Sequence, residues 1–229
     1  MKIDFVSDVS CPWCAIGLAS LQKALKRLDG VVQAELTFQP FELNPQMVPE
    51  GEDITEHLAK KYGSSPEQAA AARENIRSRG ADLGFTFNMD KRGRIYNTFD
   101  AHRLLHWAHL QDAAATGAQA DPQPGRQPLQ VALKKALLAA YFTLGEDPSD
   151  HALLLRVVGE VGLDVARAKA ILDGDDYADA VRAQENFYTS QGIHSVPAVI
   201  INDRHLISGG QPPEVFERAL RQIAAAQAT

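Results

Sequence analysis

KIDFVSDVSCPWCAIGLASLQKALKRLDG, residues 2–30, holds the strand, turn and helix around which the rest of this chain is arranged. Ile3, Phe5 and Val6 form a short β-prone run, and Ser7-Asp8-Val9-Ser10 breaks it. From Ala15 to Leu28, the residues Ile16, Leu18, Leu21, Leu25 and Leu28 recur at helical spacing, and Gly30 stops the helix. A second run follows between Val31 and Phe41, where Val32, Ala34, Leu36 and Phe38 alternate with Gln33, Glu35, Thr37 and Gln39. The first 43 residues therefore read as a βαβ unit.

Both cysteines of the 229-residue chain, Cys11 and Cys14, lie at the junction of that first strand and helix. Two cysteines scattered over such a length would fall three apart about one time in a hundred, so the C-x-x-C spacing is itself a signal. A cysteine at a helix N-terminus feels the positive end of the macrodipole and free backbone N–H groups, both of which favour thiolate. Cys11 is then the nucleophile, and Cys14, one turn further in, is placed to attack a mixed disulfide on Cys11 and expel the bound partner. Pro12 suits the first helical turn because its missing N–H would have no intrahelical partner there. Trp13 brings bulk and an apolar face beside the pair. No second C-x-x-C or C-x-x-H is present to complete a zinc site, so no metal is expected.

Composition narrows the partners. With 23 Lys and Arg against 29 Asp and Glu the net charge is −6, and the basic residues are scattered, which argues against nucleic acid and anionic membrane. No apolar run approaches the roughly 20 residues of a membrane span, and MKIDFVSD lacks the apolar core of a signal peptide. A cytoplasmic protein is the expectation, and in that compartment ordinary thiols stay reduced.

After the βαβ unit the pattern turns helical. The spacing predicts helices near 54–62, 66–82, 97–115, 128–144, 149–161, 164–172 and 175–191, the second opening on a Ser64-Ser65-Pro66-Glu67 cap. FTFNM, after Gly84, reads as strand or loop, and 128–144 is apolar on nearly every side, as the centre of a helical subdomain would be. Thr116 to Pro128, with three prolines and two glycines, reads as an exposed loop. The chain returns to β at Ser195–Asn202, with a hairpin turn at Asn202-Asp203, a second strand at His205-Leu206-Ile207 and a closing helix from Pro213 to Ala226. Val196-Pro197 interrupts the first of these strands. A proline cannot donate to a ladder, so it marks an edge, a bulge or a cis bond at a special site.

DFVSDVSCPWC at 4–14, FQPFELNP at 38–45, RIYNTFDAHRLLHWA at 94–108 and SVPAVIINDRHLISGGQPPEVFE at 195–217 together resemble the DsbA-like branch of the thioredoxin superfamily, and within it the FrnE-type oxidoreductases. The resemblance covers essentially the whole chain. It implies an α/β, thioredoxin-like fold with a large α-helical insertion: residues 1–45 and 190–229 as a discontinuous thioredoxin-like domain, and 46–189 as the inserted helical domain. It also implies that Cys11 is the nucleophile, Cys14 the resolving thiol and Pro197 a cis-proline facing them. Val196 would offer its backbone N–H and C=O to an extended peptide or thiol ligand. Some FrnE-type proteins carry a second cysteine pair near the C-terminus, a region that is cysteine-free here.

The function expected is a cytosolic thiol–disulfide oxidoreductase without a tightly bound cofactor. Its partners would be a disulfide- or dithiol-containing protein or a small thiol, with glutathione or another thiol as possible co-substrate, and a homodimer is possible. The scaffold also resembles kappa-class glutathione transferases and 2-hydroxychromene-2-carboxylate isomerases, which typically carry serine where Cys11 stands. A glutathione-dependent transferase or isomerase of small aromatic compounds is therefore a rival, as is a redox-sensing chaperone or binding protein. Gly209 and Gly210 before the last helix read either as a carboxylate-binding helix start or as a plain strand-to-helix turn. His102, His106 and His109, at i, i+4 and i+7, read as a polar stripe facing solvent or the groove over Cys11. Asn44 has the same two readings, groove or structure, and Asn97 reads as a helix cap.

Overall fold

The computed structural model describes residues 1–117 and 127–227. β1 (Lys2–Ser7), α1 (Pro12–Arg27) and β2 (Glu35–Pro40) form the βαβ unit, with β1 and β2 parallel. Phe5 lies opposite Phe38 and the two rings meet edge to face at 5.6 Å. β5 (Ala198–Ile201) adds antiparallel to the other side of β1, Val6 opposite Ala198, and β6 (His205–Ser208) completes a four-stranded sheet in the order β2-β1-β5-β6. Asn202 and Asp203, both at positive φ, are the central residues of a turn closed by the Arg204 N–H on the Ile201 carbonyl at 3.2 Å, within the three-residue connection between β5 and β6. β5 begins three residues later than the β-prone run because Pro197 has no N–H to give the ladder.

α1 forms because Pro12 is preset for its first turn, its apolar positions keep one face, and Lys26 and Arg27 complement the dipole at its end. Ile16, Leu18 and Leu21 on that face are buried, each worth about 1.5–3 kcal/mol relative to exposure. α9 (Pro213–Gln227) packs against it.

Between β2 and β5 lie α2 (Ile54–Tyr62), α3 (Pro66–Leu83), α4 (Phe99–Gly117), α5 (Leu129–Ala139), α6 (His151–Glu160), α7 (Val165–Asp173) and α8 (Ala178–Ser190). α3 opens on a full capping box, Ser65 with Gln68, where the serine cap is expected. The helix expected over 128–144 changes character at Ala140, where a π turn runs to Leu144. The wider turn frees carbonyls that Asn88 collects: its backbone N–H donates to the Phe142 carbonyl and its side chain to the Thr143 carbonyl. FTFNM is a loop whose Phe87 ring packs edge to face on Phe142 at 5.2 Å. A two-residue antiparallel ribbon, β3 (Glu52–Asp53) with β4 (Arg94–Ile95), has too few residues to leave an alternation in the sequence. Of the loop expected at 116–128, residues 118–126 lie outside the described residues.

The apolar core does not stop where the helical segment begins. One cluster joins Phe5, Ile16, Leu21, Val199 and Phe216 with Ile76, Phe87, Val131, Leu138 and Phe142, and a second fills the space among α4, α5, α6 and α7 around Leu104, Leu133, Leu137, Leu154 and Ile171. α5 contributes to both and packs on β2, so the inserted helices and the sheet share one interior.

Candidate active site

The turn from β1 into α1 is built on Asp8. Its carboxylate is fully buried and accepts from the Ser10 N–H at 3.1 Å, the Ser10 hydroxyl at 3.0 Å and the Leu43 N–H at 2.7 Å. His102 Nε2 stands 3.7 Å from it, beyond hydrogen-bond length. Burial pushes the Asp8 carboxyl up; His102 and the backbone donors more than offset this and hold it at about 2.

Cys11 is the N-cap residue of α1 and Pro12 occupies its first turn. Cys11 is 3% exposed and Cys14 is 0% exposed, and both are free thiols. The Cys14 thiol donates to the Cys11 sulfur, which lowers the Cys11 pKa; burial and the Asp8 charge oppose this, while the Cys14 and Trp13 backbone N–H groups assist it. Burial first, and Cys11 second, push the Cys14 thiol well up. The pair thus holds one thiol biased toward thiolate and one biased toward its proton, the electronic arrangement an attacking and a resolving thiol require.

Val196-Pro197 faces this pair through a cis peptide bond, and Cys11 Sγ lies 3.6 Å from the Val196 carbonyl oxygen. Two glycines seat the proline. Gly17, on the buried face of α1, would place a Cβ only 3.0 Å from Pro197 Cγ, so the absence of a side chain there lets the proline rest on the helix. Gly209, at φ +81, donates its backbone N–H to the Pro197 carbonyl at 2.8 Å. Gly210 packs against Trp13, where a Cβ would lie 3.0 Å from the Trp13 carbonyl oxygen. These contacts follow the strand-to-helix-turn reading of the two glycines, since the Gly209 N–H is already engaged.

The surface around Cys11 comes from the helices. Arg79 of α3 stacks its guanidinium 5.3 Å from the Trp13 ring centroid, a cation–π contact. Asn44 Oδ1 accepts from Lys61 Nζ at 2.8 Å and meets His57 Nε2 at 3.1 Å, tying α2 to the loop that follows β2. At the end of α2 the exposed Tyr62 lies within the field of Cys11: partial burial and then that field push its hydroxyl up.

The structure brings together Cys11, Cys14, Pro12, Trp13, Val196, Pro197, Gly209 and Gly210. It corrects the reading of His102, for which solvent or the groove over Cys11 was expected: at 2% exposure it opens to neither and lies buried with Nε2 3.7 Å from Asp8. His106 is half-buried beside Gln184, with Nδ1 3.2 Å from its Oε1. Thr98 takes the cap position of α4, its carbonyl accepting from the His102 N–H, and Asn97, one residue earlier than expected for a cap, accepts from the Phe99 N–H at 2.8 Å. Missed from the sequence are Asp8, which read only as part of the turn after the first strand, and Gly17, Arg79 and Lys134 of α5, none of which the sequence singles out. Lys134 is 1% exposed, and its buried ammonium is pushed down to about 8 against the pull of Cys14, Asp8 and Cys11.

A family model described as a DSBA-like thioredoxin domain matches residues 2–221. The chain belongs to the DsbA-like thioredoxin family. This DsbA-like chain is 32% identical to a probable DsbA oxidoreductase from Streptomyces coelicolor of known structure, which covers 100% of this chain and 92% of the other at a TM-score of 0.83. It is 26% identical over 221 residues to YwbO of Bacillus subtilis (strain 168), 96% of each chain. The cytosolic disulfide reductase DsbM of Pseudomonas aeruginosa, solved with GSH, shares the fold at 15% identity and a TM-score of 0.59, over 100% of this chain and 99% of that one. Among the described residues of the DsbA-like chain no helix is long and apolar enough to cross a membrane.

Asp8 yields a two-part expectation. Asp8→Asn removes the charge that opposes the Cys11 thiolate, so the Cys11 pKa should fall further, read by the pH dependence of iodoacetamide alkylation. The folded carboxyl titrates at about 2 against 3.8 ordinarily, so its contribution, on the order of 2 kcal/mol, is present above pH 4 and disappears as the pH falls through 2. Urea midpoints of the variant should lose that part of the acid dependence; an unchanged acid limb together with an unchanged Cys11 pKa would show that Asp8 does not tune the site.

Proposed function

We propose that this chain is a cytosolic thiol–disulfide oxidoreductase that works through Cys11 and Cys14. The observation that carries the reading is the Cys11 sulfur at the head of α1, 3.6 Å from the carbonyl that precedes Pro197, with Cys14 buried one turn behind it. The Cys11 thiolate attacks one sulfur of a substrate disulfide, the substrate's other sulfur leaves as a thiolate, and a Cys11 mixed disulfide forms. The Cys14 thiolate then attacks Cys11 Sγ, the second substrate sulfur departs, and two electrons have passed from the dithiol to the substrate. The reverse sequence oxidises a substrate dithiol.

Val196 presents its backbone to an extended peptide or thiol ligand by strand addition, and the half-buried Pro12 and Trp13 form the apolar rim on which the ligand rests. Gly209 and Gly210 hold that rim in place, and Asn44 and His102 act from behind it by fixing α2 and Asp8. Glutathione or another small thiol is the electron donor in this reading, a role supported by the likeness to DsbM. The chemistry needs no tightly bound cofactor.

Trapping tests the assignment of the two thiols. Cys14→Ser incubated with oxidised glutathione should accumulate a stable Cys11–glutathione adduct, visible as a stoichiometric mass increase, whereas the native dithiol passes through it. A Cys14→Ser protein that forms no adduct, or that releases it as fast as the native protein, overturns the roles given to Cys11 and Cys14.

A further inference from the structure

One charged side chain lies on the dithiol motif itself. Arg79, from α3, holds its guanidinium 5.3 Å from the Trp13 ring centroid. Trp13 stands in the first turn of α1, directly after Cys11 and Pro12, and its backbone N–H converges on the Cys11 sulfur. A single residue therefore spans the distance between the nucleophile and the arginine.

The second wall of the site meets the same guanidinium. Arg79 Nη1 donates to the Gly210 carbonyl at 3.5 Å, a long hydrogen bond to a neutral group. Gly210 adjoins Gly209, whose N–H holds the Pro197 carbonyl at 2.8 Å. Arg79 thus borders both the head of α1 and the loop that carries the cis-proline.

Its charge finds no counterpart in the protein. Among the described residues Arg79 forms no ion pair, and Glu74, further back along α3, is held by Arg77 at 2.6 Å. An arginine presents several N–H donors in a planar fork that matches a carboxylate, and one long hydrogen bond leaves that fork open.

The surroundings add no negative charge at the surface. Pro12, Trp13, Val196, Gly209 and Gly210 are uncharged, while Asp8 is fully buried with its oxygens turned to Ser10 and Leu43. Lys61, at the end of α2, is exposed and also positive, but it already donates to the Leu43 carbonyl at 2.9 Å and to Asn44 at 2.8 Å. A chain with a net charge of −6 therefore shows positive charge beside its two thiols.

We propose that Arg79 selects the ligand of this site: the small disulfide received at Cys11 carries a carboxylate a few bonds from its sulfur, and that carboxylate lies on the Arg79 guanidinium beside Trp13. The inference rests on the dithiol reading of Cys11 and Cys14 and adds the charge of their substrate. The sulfur chemistry is unaltered. The Cys11 thiolate attacks one ligand sulfur, the other ligand sulfur leaves as a thiolate, and Arg79 neither gains nor loses a proton. Stacking on Trp13 holds the long arginine side chain in place before the ligand arrives, which lowers the entropy cost of clamping it.

Single-turnover oxidation of the reduced full-length protein, followed by quenched flow and thiol titration, tests this with small disulfides of different charge: anionic dithiodiglycolate, neutral hydroxyethyl disulfide and cationic cystamine. Their intrinsic reactivities differ, so each second-order rate constant is divided by that of the neutral disulfide, and the ratio is compared between proteins. In Arg79→Gln the dithiodiglycolate ratio should fall about five-fold and the cystamine ratio should rise about two-fold, the size of one solvent-exposed charge contact. Arg79→Lys should keep most of the anion preference, and Arg79→Glu should invert it. The native protein supplies a check that needs no variant: raising the ionic strength from about 0.02 M to about 0.5 M should lower its dithiodiglycolate ratio. Ratios that stay unchanged in Arg79→Gln and Arg79→Glu overturn the proposal, as does a native ratio indifferent to salt. Retained activity in Cys11→Ser would instead discard the dithiol reading itself, so the two failures are distinguishable.

Discussion

Cys11→Ser should lower disulfide reductase turnover by at least about a thousand-fold, an increase in barrier of about 4 kcal/mol or more. The reacting species is a thiolate, and α1 and the Cys14 thiol supply its stabilisation: Cys14 donates to the Cys11 sulfur, and the Trp13 and Cys14 N–H groups converge on it. A serine hydroxyl in the same place stays protonated at any pH the protein survives, and it forms no disulfide. The fold should be nearly indifferent to the change, because the hydrogen bond from Cys11 Sγ to the Val196 carbonyl, at 3.6 Å, is a weak sulfur one. The assay is turnover of a disulfide substrate with glutathione as reductant, alongside thermal unfolding to show that the variant is intact. Activity within ten-fold of the native protein would place the chemistry elsewhere.

The second large effect belongs to a residue with no chemistry of its own. Gly17→Val should destabilise the protein by about 2–4 kcal/mol and reduce turnover by about ten- to a hundred-fold, through overpacking against the proline loop. A single added Cβ already stands 3.0 Å from Pro197 Cγ and 3.5 Å from both Gly210 Cα and Phe5 Cζ, so two further methyl groups have nowhere to go without moving Pro197 away from Cys11. Gly17→Ala is the graded control. It meets the same proline more lightly and gains about 1 kcal/mol of helix propensity, so the two terms nearly cancel in stability. Urea denaturation with the same reductase assay separates the cases. If Gly17→Val unfolds at the native midpoint with native turnover, the seat assigned to Gly17 does not exist.

Much of the frame was legible along the chain, and the places where it was not are informative. The βαβ opening, the Ser65 cap and the Asn202-Asp203 hairpin were all visible, because each depends on residues within a turn or two of one another. The helix at 128–144 was visible as an apolar run, yet its π turn was not, because Asn88, which takes up the freed carbonyls, comes from more than fifty residues away. The histidine column showed its spacing but not its direction. A 3.6-residue period says that His102, His106 and His109 share a face, and only the packing of α4 against β2 and α5 says that the face is interior.

For the site itself, sequence alone settled the local chemistry: two thiols one turn apart at a helix start, and a proline at the head of a distant strand. Capping, the helix dipole and the C-x-x-C spacing act over a few ångströms and a few residues, so they are written in consecutive letters. Tertiary structure decided the environment that tunes those thiols. Asp8 reads as a turn residue until Leu43 and His102 close over it, Gly17 goes unmarked within its helix until Pro197 rests on it, and Lys134 is one more lysine until α5 carries it into the core. Desolvation and close approach depend on which elements fold over a residue, and no window of neighbouring residues contains that information.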